Sequence, residues 1–568
     1  MASQPALAAL SPAFTRFEVL QVLRRGRLPA AWRSLLDRDP LLQRVAMVIE
    51  VSLGGMSGRT VRVATVPIRS ASSRRGTRHD AVPGLIEEPS ISADYTISVG
   101  SSPARQIDFT VDASLIEPLK AIRSGMFLSG VAEIALEPTD RESDYDERYV
   151  LLRGDIQDVS FGAPSDAYGR REIVTMSITD PRESCSTRFP PWTLDTERQA
   201  SVHDSAVGGT YPIVLNSAYR LPAPRLTSAA LGSNRFAVAA GEVDVTAAAG
   251  NVFLNGVSAF GGTTAWVAES ETDALGTTYT VIRFTNAALV WDDSDAVHVT
   301  CSERAAEARL NPVDAIRRLV EGYSPIGPAG VDHALFASAS AAWPGGLDAP
   351  RVMANASGGS SANILDWIEN GFLASFPMIS MVWSTGGYGP VLTDSRSPPI
   401  AHFVVGQNPI VDRASLLTET SKAELLNQFS LRYGYDPMRD TWAGVVTRSP
   451  SNSSVCETSR MLVGQRDAQP IDSVYITDRS TADYVLDWLV QHRALPSYIV
   501  EYNATPAAFL LYQRGDTVAL TDDELGFQAE RATIEKLVYQ RGNCKITFRV
   551  WLRLLDVGAG ALSRPATL

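Results

Sequence analysis

Near its C-terminus the chain reads CKITFRVWLRLL, with Cys544, Ile546, Phe548, Val550, Leu552 and Leu554 on one face and Lys545, Arg549 and Arg553 on the other. A strict period of two fits an extended strand with one face in an apolar core, and no helix can reproduce it. The same period governs Val45, Met47, Ile49, Val51 and Leu53, after which GGMSG makes a turn and Val61 and Val63 return as a hairpin. Strand patterns continue at RQIDFTV (105–111), FLSGVAEIAL (127–136), YVLLRGDIQDVSF (149–161) and REIVTMSITDP (171–181). Long half-buried strands at both ends predict a mainly β protein with α+β insertions.

The interruptions are local. In residues 1–44, FTRFEVLQVLRRG and LPAAWRSLLDRDPLL carry apolar residues at helical spacing and predict an N-terminal helical arm. Residues 201–305 are rich in Gly, Ala and Thr with frequent turn signals, which predicts a small β-sandwich or barrel. Over 306–420 the chain turns α/β. Asn311 and Asp314 read as a capping box with Pro312 at the first helical position, ahead of Val313, Ile316, Leu319, Val320 and Tyr323 on one face. NILDWIENG reads as a second helix stopped at Asn370-Gly371. In 421–568 the pattern returns to β, with one helix over TADYVLDWLVQHR capped by Ser480 and Asp483. At 568 residues the chain is too long for a single core. The predicted division is therefore 1–44, 45–200, 201–305, 306–420 and 421–568.

Charge narrows the function classes. The chain has 63 acidic against 51 basic residues, a net charge of -12, so tight nonspecific binding to nucleic acid is disfavoured while passage of DNA along an acidic wall is allowed. Only Lys120, Lys422, Lys536 and Lys545 are lysines; arginine, whose planar fork suits ion pairs between subunits, supplies the remaining positive charge. Arg69, Arg74, Arg75 and Arg78 cluster in IRSASSRRGTRHD and are candidates for gripping an acidic neighbouring subunit. EPTDRESDYDERY (137–149) holds Asp140, Glu142, Asp144 and Asp146, and a second acidic turn holds Asp522, Asp523 and Glu524. No run approaches the roughly 18 apolar residues of a membrane helix, so direct membrane insertion is not expected. MASQPALAALSPAFTRF has no basic n-region followed by an apolar stretch, which predicts folding in a cytoplasm.

Catalytic signatures are missing at this level. GGMSGR and GGSSAN lack the G-x-S-x-G spacing, no glycine-lysine-Ser/Thr run forms a phosphate loop, and GGYG (386–389) lacks a dinucleotide context. Cys185, Cys301, Cys456 and Cys544 lie far apart, as unpaired thiols would, and no close His pair occurs. Asp292, Asp293 and Asp295 beside His298 form an acidic turn that lacks the remaining ligands of a calcium or zinc site. No enzyme, no cofactor and no metal is expected. Two Arg-Gly-Asp tripeptides, at 153–155 and 514–516, each follow an apolar run and precede alternating segments. They suggest one turn reused in two related barrel modules, rather than an adhesion signal.

LLNQFSLRYGYD (425–436), RDAQPIDSVYITDRSTADYVLDWLVQHRALPSYIVEYNA (466–504) and RGDTVALTDDELGF resemble the tail hub, or baseplate hub, proteins of tailed bacteriophages. NPVDAIRRLVEGYS, NILDWIENGFLASFPMIS and GGTYPIVLNSAYRLPAP are similar to the middle region of such hubs, so the resemblance spans roughly 200–568 in segments. It implies a homotrimer with two tube-type β-barrel domains per chain, at 45–200 and 421–568, together with a small β domain and an α/β domain. It also implies a structural role in the virion, between the tail tube or distal-tail ring proteins, the tape-measure protein and the tail tip or fibre proteins, with transient passage of genomic DNA. The two acidic clusters become candidate channel or rim loops. A distal-tail ring protein, a receptor- or glycan-binding component and a cell-wall-degrading component are the competing readings.

Overall fold

The computed structural model describes most of residues 45–551 and, ahead of them, Trp32 and Leu35. The longer stretches outside the described residues are 1–31, 36–44, 53–59, 95–105, 113–129, 163–172, 180–188, 287–291, 304–309, 355–362, 394–398 and 552–568. Most of the expected helical arm thus lies outside them. Trp32 and Leu35 are helical and packed in the first core, with the Trp32 ring 5.8 Å from that of Tyr149.

The first module is built from β1 (Val45–Ser52), β2 (Thr60–Ala64), β3 (Val82–Pro83), β4 (Leu85–Glu87), β6 (Gln106–Asp112), β7 (Val131–Pro138), β8 (Tyr149–Gly162) and β9 (Ile173–Thr179). Between them, β5 (Ile91–Asp94) leaves for another sheet. The strand order is β3-β2-β1-β7-β8-β9-β6-β4. Its two ends are contiguous in sequence, joined by Gly84 alone, whose N–H donates to Ala64 and whose carbonyl accepts from Asp112. One residue bonded to both edges closes the sheet into a barrel, which removes the exposed edges an open sheet would carry. Met47, Ile49, Val51, Val63, Phe109, Val111, Ile134, Leu136, Val174, Met176 and Ile178 fill the interior, as the period-two pattern requires.

A two-sheet sandwich follows. Its strands are β10 (Ser217–Ala223), β11 (Arg225–Ser228), β12 (Gly232–Ala240), β13 (Val243–Asp244), β14 (Val252–Leu254), β15 (Val257–Ser258), β16 (Trp266–Thr272), β17 (Thr278–Phe284) and β18 (Val297–Glu303). One sheet runs β10-β18-β14-β15 with β13 beside β18, the other β11-β12-β17-β16, and Leu221, Phe236, Val238, Ile282, Phe284 and Val299 interdigitate between them.

The helical layer holds α1 (Pro312–Tyr323), α2 (His333–Ala342), α3 (Ser454–Val463) and α4 (Arg479–Arg493). Asn311 caps α1 by accepting from the Asp314 N–H at 2.9 Å, while the Asp314 carboxylate itself takes the Ser340 hydroxyl of α2. The second expected helix does not stop at Asn370-Gly371. After one α-turn the backbone widens into a π-turn over Trp367–Phe372, which places Ile368 and Phe372 in the core and lets buried Glu369 accept from the Tyr388 hydroxyl. The cap of α4 is Asp478, not Ser480, and Asp483 pairs instead with Arg448 at 2.7 Å. Residues 429–490, expected with the second barrel, share one core with α1, α2 and the 379–392 hairpin. Phe429, Leu431, Trp488 and Val490 close over the same apolar space as Ile316 and Phe376.

The second closed sheet runs β19-β22-β23-β24-β21-β20, from β19 (His402–Val404), β20 (Ile410–Arg413), β21 (Ser497–Ala504), β22 (Thr517–Asp522), β23 (Phe527–Gln540) and β24 (Asn543–Trp551). Its end strands are again sequence neighbours, separated by residues 405–409. In both modules one closing strand joins in parallel (β3 to β2, β19 to β22) and the other antiparallel (β4 to β6, β20 to β21). Val500, Tyr502, Leu520, Ile534, Cys544, Ile546, Phe548 and Val550 fill this barrel. The protein is therefore mainly β, with two closed sheets, a small sandwich and an α/β layer.

The modules exchange parts. β5 adds to β23 antiparallel, with Ile91 opposite Tyr539 and Asp94 opposite Lys536. In return Tyr539 and, from α5 (Ala507–Leu511), Ala507 and Leu510 pack in the first barrel's core.

Candidate functional site

The basic and acidic loops of the first barrel, expected to act separately, meet. Ser70 and Ala71 pair in parallel with Ser143 and Asp144, so residues 68–81 and 143–148 form a two-loop flap over the barrel's outer face. Beneath it lies a small apolar layer of Ala46, Val48, Ala64, Ile68 and Ala81, side chains on the opposite face from the barrel core. Asp146 fastens the loops by accepting from the Ser72 hydroxyl at 2.7 Å and the Arg74 N–H at 3.0 Å. The Ser72 hydrogen bond, then the Arg74 N–H and the nearby guanidinium charges, hold its carboxyl below the usual aspartate range.

Tyr145 is the centre of the flap. His79 stacks on its ring at 3.8 Å and 13°, and the Arg148 guanidinium sits 3.9 Å from the ring centroid. Its hydroxyl donates to Glu50 at 2.9 Å; burial, reinforced by Glu50, pushes the phenol up to about 12 and keeps it a donor at any physiological pH. Glu50 also meets Arg62 at 3.0 Å, Arg62 bridges to buried Glu137, and Arg148 meets Glu133 at 2.6 Å. Each buried charge thus has an opposite charge beside it, as burial demands. Nothing in the sequence marks Tyr145 or Arg62, and His79 stands out there only as a member of the basic loop; the readable signal is that an arginine-rich loop and an acid-rich loop occur in one domain.

The predicted site residues divide accordingly. Asp144 and Asp146 belong to the flap, whereas Asp140 and Glu142 lie outside the described residues. Arg69, Arg74, Arg75 and Arg78 are exposed, and the loop carrying them is anchored on its own chain's Asp146. In the second barrel Asp522 is only 2% exposed, which removes it from any rim. It accepts from the Tyr502 hydroxyl at 2.8 Å and from the N–H groups of Glu524 and Leu525, organising the β22–β23 turn. Asp523 and Glu524 are exposed, and Glu524 meets Arg413 at 2.6 Å.

The two Arg-Gly-Asp tripeptides are not equivalent turns. Arg153-Gly154-Asp155 lies inside β8, with Gly154 opposite Ala132 in the ladder. Arg514-Gly515-Asp516 is a turn ahead of β22 with Gly515 at φ +84°; Arg514 is 3% and Asp516 9% exposed, so no receptor can reach it. The likeness of the two barrels rests on their closure, not on this tripeptide. Asp292 and Asp295 form a hydrogen-bonded turn with Ser294 and Asn255, and His298 points elsewhere. Among the described residues no three His, Cys, Asp or Glu side chains converge on a metal position, and no helix is long and apolar enough to cross a membrane. Cys301, Cys456 and Cys544 are buried and free, and burial pushes the Cys301 and Cys544 thiols up to about 12, where thiolate chemistry is unavailable at neutral pH.

No family profile matches the chain, and no curated protein does. Among solved structures it is similar to a tail protein from Neisseria meningitidis, at 10% identity over 89% of this chain and 96% of that one, with a TM-score of 0.37. It is similar to the 43 kDa tail protein of prophage MuSo2 from Shewanella oneidensis, at 9% identity over 89% and 98%, with a TM-score of 0.37. A p2 virion baseplate in its activated conformation aligns at 11% identity over 60% and 88%, with a TM-score of 0.17.

Proposed function

We propose that this chain is a structural protein of a phage tail, and specifically the hub of the tail tip or baseplate: a homotrimer that joins the tail tube or distal-tail ring to tip or fibre proteins and forms part of the DNA ejection channel. The observation that carries the reading is the presence of two closed sheets in one chain, closed in the same mixed parallel and antiparallel manner. Three such chains supply six barrels, the count needed to cap a sixfold ring with closed symmetry. The resemblance of segments 425–436 and 466–504 to hub proteins supports the same assignment.

Because side chains fill both barrels, a channel has to run between barrels of different subunits, over their outer faces. Exposed Asp523 and Glu524 are the acidic pair proposed to face it, repelling phosphate so that DNA slides without binding. The exposed guanidinium groups of Arg69, Arg74, Arg75 and Arg78 are the proposed contact to a neighbouring subunit. The role is mechanical, without catalysis, and the tape-measure protein is a further proposed neighbour; assembly takes place in the host cytoplasm before incorporation in the virion. Native mass spectrometry of the purified assembly tests the central claim. Three copies are expected, and a stable monomer or hexamer would overturn it.

A further inference from the structure

Polar groups as well as apolar ones tie the sandwich to the rest of the protein, and two of the residues that supply them have left-handed backbones. Asn216 (φ +61°) stands where the chain enters the sandwich. Its amide donates to the carbonyls of Leu310 and Pro350, both at 2.9 Å, and accepts from the Leu310 N–H at 2.7 Å, so it clasps the entering and returning chain together. Trp192, packed against both the helical layer's core and the second sandwich core, adds an apolar strap on the same side. Together they make a pivot.

The second attachment is of another kind. Arg220 (φ +51°) sits in the β10 bulge, where its N–H donates to Thr300 of β18. Its guanidinium lies 4.6 Å from the Phe253 ring and forms an ion pair with Asp436, 216 residues away in the helical layer's sheet. Both partners of that pair are 12% exposed. A non-glycine residue in this backbone region persists only where its surroundings hold it, and here the ion pair does so.

His298 is set beside this pair. It lies on the outer face of β18, with Thr300, and is paired across the sheet with Phe253 and Pro222. The charged groups facing it are Arg220 from β10 and Asp436 from the strand 429–436. Its Nδ1 is buried with no hydrogen-bond partner among the described residues. Burial holds the imidazole below its ordinary range, with Asp436 opposing and Arg220 reinforcing the effect.

We propose that Arg220, Asp436 and His298 form an acid-opened latch, which holds the sandwich against the helical layer and releases it to swing about Asn216 when His298 takes up a proton. Among the described residues the closed junction offers no acceptor at Nδ1, and a second cation beside Arg220 competes for Asp436. Opening hydrates the imidazole, so protons bind the open state more tightly and shift the population toward it. Because the folded value is depressed, closure is fully supported above the unfolded imidazole value of about 6.5 and weakens as pH falls below it.

Pulsed electron-spin distance measurements on the full chain test this. Spin labels at Val257→Cys on the sandwich and Met461→Cys on α3, both exposed, report the junction, and a Leu416→Cys/Met461→Cys pair reports the rest of the protein. Cys185→Ser removes a competing thiol in both. The expected junction distance is narrow at pH 8 and broadened at pH 5.5. His298→Phe should stay narrow at both pH values, and Asp436→Asn should be broad at both, while the second pair stays narrow throughout. The proposal is overturned by a junction distance that stays narrow at pH 5.5, by His298→Phe broadening as the parent does, or by the second pair broadening in step with the first. The parent measurement stands even if a variant fails to fold.

Discussion

Ile91 offers the sharpest test of how the two barrels depend on each other. It is fully buried, belongs to the first barrel's core, and lies on β5, the strand that adds to β23 of the second sheet with Ile91 opposite Tyr539. Ile91→Ala removes three carbon atoms, about 2.4 kcal/mol at ~0.8 kcal/mol each, and the residual cavity raises this to about 3–4 kcal/mol. If β5 and α5 weld the barrels into one cooperative unit, that loss is felt by both. For a unit of 150–250 residues it lowers Tm by roughly 6–15 °C. Differential scanning calorimetry should show one transition for the two barrels, displaced as a whole. Hydrogen exchange supplies the local reading: protection in β1 and β7 and in β24 should fall together. A calorimetric trace in which one barrel's transition moves and the other's stays in place would refute the reasoning, because the exchanged strand would then be an ornament on two independent domains.

Three further outcomes follow from individual contacts. Gly515→Ala places a methyl 2.1 Å from the Val391 Cγ1 at a backbone of φ +84°, so left-handed strain and overpacking should together cost about 2–5 kcal/mol in urea unfolding. Asp146→Asn weakens the clasp on the 68–81 loop, and tryptic cleavage after exposed Arg74 and Arg75 should accelerate. Since the Asp146 carboxyl is held low, the parent keeps this clasp above the ordinary aspartate value and loses it only as pH falls through the folded one, so the same cleavage-rate rise should appear in strong acid with an acid-tolerant protease. Tyr502→Phe removes the hydroxyl donor from the buried Asp522 Oδ2, leaving only the two backbone donors on Oδ1, and should cost about 1–3 kcal/mol at pH 8. Burial and Asp522 raise the Tyr502 phenol, so its contribution is present below the ordinary tyrosine value and fades above it. The variant's stability should accordingly fall less than the parent's between pH 8 and pH 11.

What the sequence disclosed was whatever a local rule decides. Alternation alone puts Cys544, Ile546, Phe548 and Val550 inside, and the Asn-Pro-x-Asp start of α1 is a cap wherever it occurs. The NG stop after Glu369 fails because burying Ile368 and Phe372 outweighs the local preference of Asn-Gly for a helix end. The repeated tripeptide failed because three residues do not set their own dihedrals: a ladder partner extends Gly154, and crowding by Val391 requires glycine at 515. β5 was illegible for a different reason. Four residues reading ISAD fit either sheet, and the choice lies with neighbours more than 400 residues away.

The flap is a product of proximity within one module, which neither loop's sequence carries by itself. Taken singly, each charged loop suggests an outside partner, a neighbouring subunit for one and DNA for the other, yet they hang from β2 and β7, the two strands that flank β1 in one barrel. Two complementary segments tethered on the same module meet at effective concentrations on the order of millimolar. An exposed contact worth less than about 1 kcal/mol between separate subunits cannot match that tether. Opposite-charge loops within one domain therefore meet each other first, and what the intrachain clasp leaves at the surface, here the exposed side chains of Arg74 and Arg75, faces a second chain.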